Sequence, residues 1–69
     1  MNGMNIENTF TYHAPNEEQQ KRYVELRNKA KELAYMIQSH CPDSREKSIA
    51  LTKLQETIMM ANAAIAINW

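Results

Sequence analysis

The chain has little of what usually fixes a small fold. It carries one cysteine, Cys41, so an internal disulfide is excluded. Nothing in it resembles a four-ligand metal cluster, so no metal or other cofactor is expected. Its one glycine, Gly3, lies in a polar N-terminal stretch. Eight basic and eight acidic residues cancel. No global field therefore favours DNA or an anionic membrane, although a local anion site stays open. The N-terminus lacks a basic flank followed by an apolar core, so no signal peptide is expected. The longest apolar run is broken by Asn62 and Asn68 and is too short to span a bilayer. The simplest expectation is a cytoplasmic chain with Cys41 as a reduced, packed thiol. No Ser/His/acid or Cys/His constellation has credible spacing, so no catalytic residue is assigned and no enzyme is expected.

What is present is helix. Ala50 to Ile67 carries an apolar seam at Leu51, Leu54, Ile58, Ala61 and Ile65. The alternating steps of three and four keep these residues on one helical face. From Ile58 onward the other faces turn apolar too, with Met59, Met60, Ala63, Ala64, Ala66 and Ile67. The methionines there read as packing. A helix apolar all round needs protein on more than one side. A chain of 69 residues is marginal alone, and without metal or disulfide it is expected to oligomerise. The seam residues Leu54, Ile58, Ala61 and Ile65 are assigned to the oligomer interface. Asn62, the polar member of the run, is placed there too, as a residue that fixes register.

In order, residues 1–9 are polar, without period, and expected to fray. Phe10 to Pro15 reads as an extended arm, because Pro15 pushes Ala14 out of the helical region. Asn16 makes a good N-cap, with Gln19 at the third position. The first helix is expected over about 17–40, with a seam at Tyr23, Leu26, Ala30, Leu33 and Ile37. Charged residues fill its other faces, and Lys21 with Glu25 and Glu25 with Lys29 stand at i,i+4. Pro42 ends the helix. Asp43 and Glu46 match a capping box, and the second helix is expected over about 44–67. A connection of about three residues makes the two helices antiparallel neighbours. The fold class is all-α: an antiparallel helical hairpin, residues 10–69 with the arm, assembled into a homo-oligomeric bundle.

Four blocks in order carry a resemblance: Phe10-Thr11-Tyr12-His13-x-Pro15, Arg27-x-x-Ala30-x-x-Leu33-Ala34, Pro42-x-Ser44-Arg45-Glu46-x-x-x-Ala50-Leu51-Thr52-Lys53-Leu54-x-Glu56, and Met60-Ala61-Asn62-Ala63-Ala64-Ile65-Ala66. Together they resemble the helical-hairpin domain of phage anti-CBASS and anti-Thoeris sponges. The resemblance covers Phe10 to Asn68. Many family members have Trp where this chain has Met60. The resemblance implies a hexamer built from dimers in the host cytoplasm. It also implies non-covalent capture of cyclic di- and trinucleotides, such as 3′,3′-cGAMP, between protomers. Cyclic ADP-ribose isomers, or no small ligand at all in an oligomeric interaction protein, are the alternative readings.

Against that background each polar candidate has two roles open to it. Tyr12 can stack on a purine or pin the arm to the hairpin, and the resemblance favours stacking; Phe10 goes to packing. His13 can donate to a phosphate or sit exposed in a turn. Arg27, Lys29 and Lys31 can form a solvated face. Arg27 belongs to the matched pattern, however, and its planar fork suits a phosphate. Ser44 and Arg45 open the second helix, where an anion can bind, but local capping competes. Lys53 is a further ligand candidate. His40 is placed at a helix end for structural reasons.

Overall fold

In the computed structural model the described residues are Ile6 and 14–68. Two helices of 24 residues each, α1 (Glu17–His40) and α2 (Arg45–Asn68), fold back on one another as a hairpin. Among the described residues there is no strand. Phe10, Tyr12 and His13, and with them all of the expected arm except Ala14 and Pro15, lie outside the described residues.

Helix α1 starts where the sequence places a cap. Asn16 is extended, and its Oδ1 accepts from Gln19 N at 2.8 Å. Gln19 Oε1 in turn accepts from Asn16 N at 3.0 Å. This reciprocal pair satisfies two of the donors that a helix start leaves open. At the other end Cys41 leaves the helix in an extended conformation, its N–H still donating to Ile37 O. His40 Nδ1 lies 2.9 Å from Met36 O, a bond the ring makes when that nitrogen carries the proton.

Helix α2 starts differently from the expected Asp43 and Glu46 capping box. Ser44 is the cap: its Oγ accepts from Lys47 N at 3.1 Å and donates to Pro42 O at 3.0 Å. Helix α2 thus begins at Arg45, which puts Glu46 at the second position and Lys47 at the third. Asp43 is one residue too early to cap. Its carboxylate instead takes the Lys47 ammonium at 3.0 Å.

The seam of α2 is as spaced: Leu51, Leu54, Ile58 and Ala61 are half-buried and Ile65 is buried. On α1 the half-buried residues besides Arg22 are Tyr23, Leu26, Ala30, Ala34 and Ile37. Leu33, expected in the seam, is exposed, and Ala34 takes its place. A step of four from Ala30 follows a straight 3.6-residue helix better there than a step of three. The exchange swaps a large side chain for a methyl in the middle of the hairpin.

The two ends of the hairpin are fastened by polar bonds. Near the loop, the Lys47 ammonium donates to Gln38 O at 2.8 Å as well as to Asp43. It thereby takes a carbonyl from the last turn of α1, where carbonyls lack helical partners. At the open end, Gln19 Nε2 donates to Ile65 O at 3.4 Å. Between these ends the core is thin. Ile65 is the buried apolar residue and Gln19 the buried polar one, each 8% exposed, and no described side chain is fully buried. Met60 is 70% and Met59 62% exposed. Tyr35, Met36, Val24 and Ile49 are also exposed.

Candidate ligand groove between the helices

Two alanines one turn apart on α1, Ala30 and Ala34, face Leu54 and Ile58 of α2. Methyl side chains cannot fill the space between two helix backbones, so a groove of about 300 Å³ opens there. Its floor is apolar, with Leu51, Leu54, Ile58 and Met59 along the α2 side. Its α1 rim carries Arg27 and Lys31, four residues apart and hence on one face. Among the described residues neither cation has a carboxylate within ion-pair distance.

Asn62 closes the groove on the α2 side. Its Oδ1 is occluded from solvent and accepts no hydrogen bond from the described residues. Leaving such an acceptor unmet costs about 1–3 kcal/mol. A positive rim and an apolar floor can together hold an anionic molecule with an apolar face.

Four of the other cations, Arg22, Lys29, Lys47 and Lys53, have acidic partners. Arg22 pairs with Glu18 at 2.8 Å and Lys29 with Glu32 at 3.4 Å. Lys29 therefore turns forward along α1, away from the expected partner Glu25. With Arg22, Leu26 and Ile65 it lines a separate groove of about 320 Å³ on the opposite flank of the hairpin. Lys53 pairs with Glu56 at 3.3 Å and shares a shallow depression with Arg45, Ser48 and Thr52. The Ser44 hydroxyl accepts from Lys47 N and donates its one O–H to Pro42 O, which leaves it no proton to donate to an anion.

Of the expected site residues the structure thus brings Arg27 to the central groove. It places Lys29 on the other flank, and Ser44, Arg45 and Lys53 toward the loop half of α2. Tyr12 and His13 lie outside the described residues. Leu54, Ile58, Ala61 and Ile65, assigned from the sequence to contacts between copies, line the seam against α1 within one copy. Exposed apolar side chains lie at Met59, Met60 and Ile49 on α2 and at Val24, Leu33, Tyr35 and Met36 on α1. Sequence reasoning favoured Arg27, kept Lys29 as a candidate, named Lys31 only beside them, and gave Asn62 to register. The signal that could have separated them was the i,i+4 pairing of Arg27 with Lys31 beside the two alanines.

The protein-family model described as Acb2/Tad1, hairpin domain, matches residues 2–66. The chain belongs to the Acb2/Tad1 hairpin family. This is the family of the phage anti-CBASS and anti-Thoeris sponge proteins. Among curated proteins and among solved structures, none matches the chain. Among the described residues the groove of this Acb2/Tad1 hairpin stays open along its side. The described residues include no group of three or more His, Cys, Asp and Glu placed to hold a metal ion. None of the helices described is long and apolar enough to cross a membrane.

Proposed function

We propose that this Acb2/Tad1 hairpin sequesters cyclic oligonucleotide messengers without cleaving them, and so blocks host anti-phage CBASS signalling. The observation that carries the reading is the groove rimmed by Arg27 and Lys31, two cations with no acidic partner among the described residues. Membership of the sponge family supplies the ligand class. The groove sits at the lower end of the volume range of ligand pockets, about 300–1,000 Å³. Enclosure of a cyclic dinucleotide therefore takes a second protomer, and a homo-oligomer, a hexamer in this reading, supplies it. A sponge competes with a sensor for its ligand, and a buried ligand leaves slowly. The site of action is the host cytoplasm, where the messenger is made.

Tyr12 acts as a stacking platform on the base, and Arg27 neutralises phosphate. Calorimetry with 3′,3′-cGAMP, cyclic triadenylate and a cyclic ADP-ribose isomer tests the proposal. Heat with either of the first two, and intact ligand recovered after heating the complex, supports it. Heat with the ADP-ribose isomer alone moves the protein to Thoeris signalling. No heat and no thermal shift with any of the three removes it. Tyr12→Ala is expected to abolish dinucleotide binding while light scattering shows an unchanged oligomer.

A further inference from the structure

We infer that Gln55 is a ligand-contacting residue of the central groove, whose side-chain amide donates from the α2 rim to the anion that Arg27 and Lys31 hold from the α1 rim. The inference rests on the sequestration reading and names what the second rim contributes. Four observations meet at this residue. Gln55 lines the same groove as Arg27 and Lys31. It is exposed, and among the described residues its amide takes part in no hydrogen bond. The bonds from Gln19 to Ile65 O and from Lys47 to Gln38 O set the register of the two helices, and they bring Gln55 close to the level of Lys31. The acid next in sequence, Glu56, is engaged by Lys53 of its own helix.

The positive charge of the groove has a plain origin. On α1 no acidic residue stands three or four positions from Arg27 or from Lys31. The one-turn pairing that engages Arg22 and Lys29 is therefore closed to them. Across the groove the exposed residues of the α2 rim are Gln55 and Met59, and neither is charged. A carboxylate at position 55 would serve the cations and compete with phosphate. An aliphatic side chain would leave the cations free but add no donor. The amide leaves the positive charge intact and brings N–H donors to it. A phosphodiester has non-bridging oxygens on two sides, and donors on both rims can answer both.

The test is a ranking of affinities at position 55, read by calorimetry with 3′,3′-cGAMP at one salt concentration. Gln55→Met keeps the length and removes the donors, and is expected to weaken binding on the order of tenfold, the weight of a hydrogen bond to a charged group. Gln55→Glu keeps the shape and replaces donors with negative charge, and is expected to weaken binding further. Gln55→Lys restores a donor and is expected to bind at least as tightly as the wild type. All three change an exposed residue, so thermal melts and light scattering are expected to match the wild type. A Gln55→Met protein within about twofold of the wild type overturns the inference. So does a ranking that puts Gln55→Glu level with Gln55→Met or above it, or Gln55→Lys below it. A loss of binding that comes with smaller species in light scattering overturns it too, because Gln55 is then a contact between copies. If the wild type binds neither 3′,3′-cGAMP nor any other cyclic nucleotide, it is the sequestration reading that fails.

Discussion

The side-chain amide of Gln19 joins the first turn of α1 to the backbone of Ile65 in the last turn of α2. Its Nε2 donates to Ile65 O at 3.4 Å while its Oε1 accepts from Asn16 N at 3.0 Å. One buried amide thus serves a helix cap and the closure of the hairpin together. The carbonyl it reaches is among the last four of α2, which have no partner inside the helix.

Gln19→Ala is therefore expected to destabilise the protein by about 1–3 kcal/mol, from the lost cap bond and the orphaned carbonyl. For a chain of this size each kcal/mol lowers Tm by about 4–8 °C. Thermal melts followed by circular dichroism, at matched protomer concentration, check this. A Tm within one degree of wild type would show that the Ile65 contact carries no stability.

The cap of α2 makes a sharper comparison. Ser44→Ala is expected to cost about 1 kcal/mol, because Lys47 N loses its acceptor. Asp43→Ala, which removes an exposed carboxylate beside an ammonium that keeps Gln38 O, is expected to leave the melt almost unchanged. The opposite ranking would restore Asp43 as the cap.

For ligand binding the cations are expected to separate by flank. Arg27→Ala and Lys31→Ala each weaken cyclic dinucleotide binding by on the order of tenfold or more, the weight of a charge-assisted bond to phosphate. Lys29→Ala, on the other flank and paired with Glu32, leaves it within about twofold. Calorimetry at one fixed salt concentration reads all three, and a larger loss from Lys29→Ala than from Arg27→Ala would move the site to the other groove.

Assembly is expected to depend on the outer face of α2. Met60→Glu, alone or with Met59→Glu, places charge on the most exposed apolar residues of α2 and is expected to shift light scattering toward smaller species. Leu51 and Leu54 lie in the seam within one copy, so changes there are expected to unfold the hairpin rather than to dissociate it. An unchanged oligomer in Met60→Glu would place the contact between copies elsewhere.

Much of the hairpin was legible in the sequence. Asn16 with Gln19, Pro42, and the steps of three and four from Leu51 to Ile65 are local signals, and each led to the observed element. The errors were of one residue, at Ser44 for Asp43 and at Ala34 for Leu33. Both arose where two similar choices lie side by side and only packing separates them. The groove was harder to read, because a cavity is defined by side chains too short to fill it. Ala30 and Ala34 look like ordinary helix formers until the partner helix is in place. The polar bonds of Gln19 and Lys47 span the two helices, and no local pattern announces them.

A rod bolted at both ends and hollow along its middle responds to a guest in a particular way. Whatever lodges beside Ala30 and Ala34 supplies the packing that these two methyls withhold. The empty protein would then be the looser one, and its amide hydrogens near Ile58 would exchange faster than those of the loaded form.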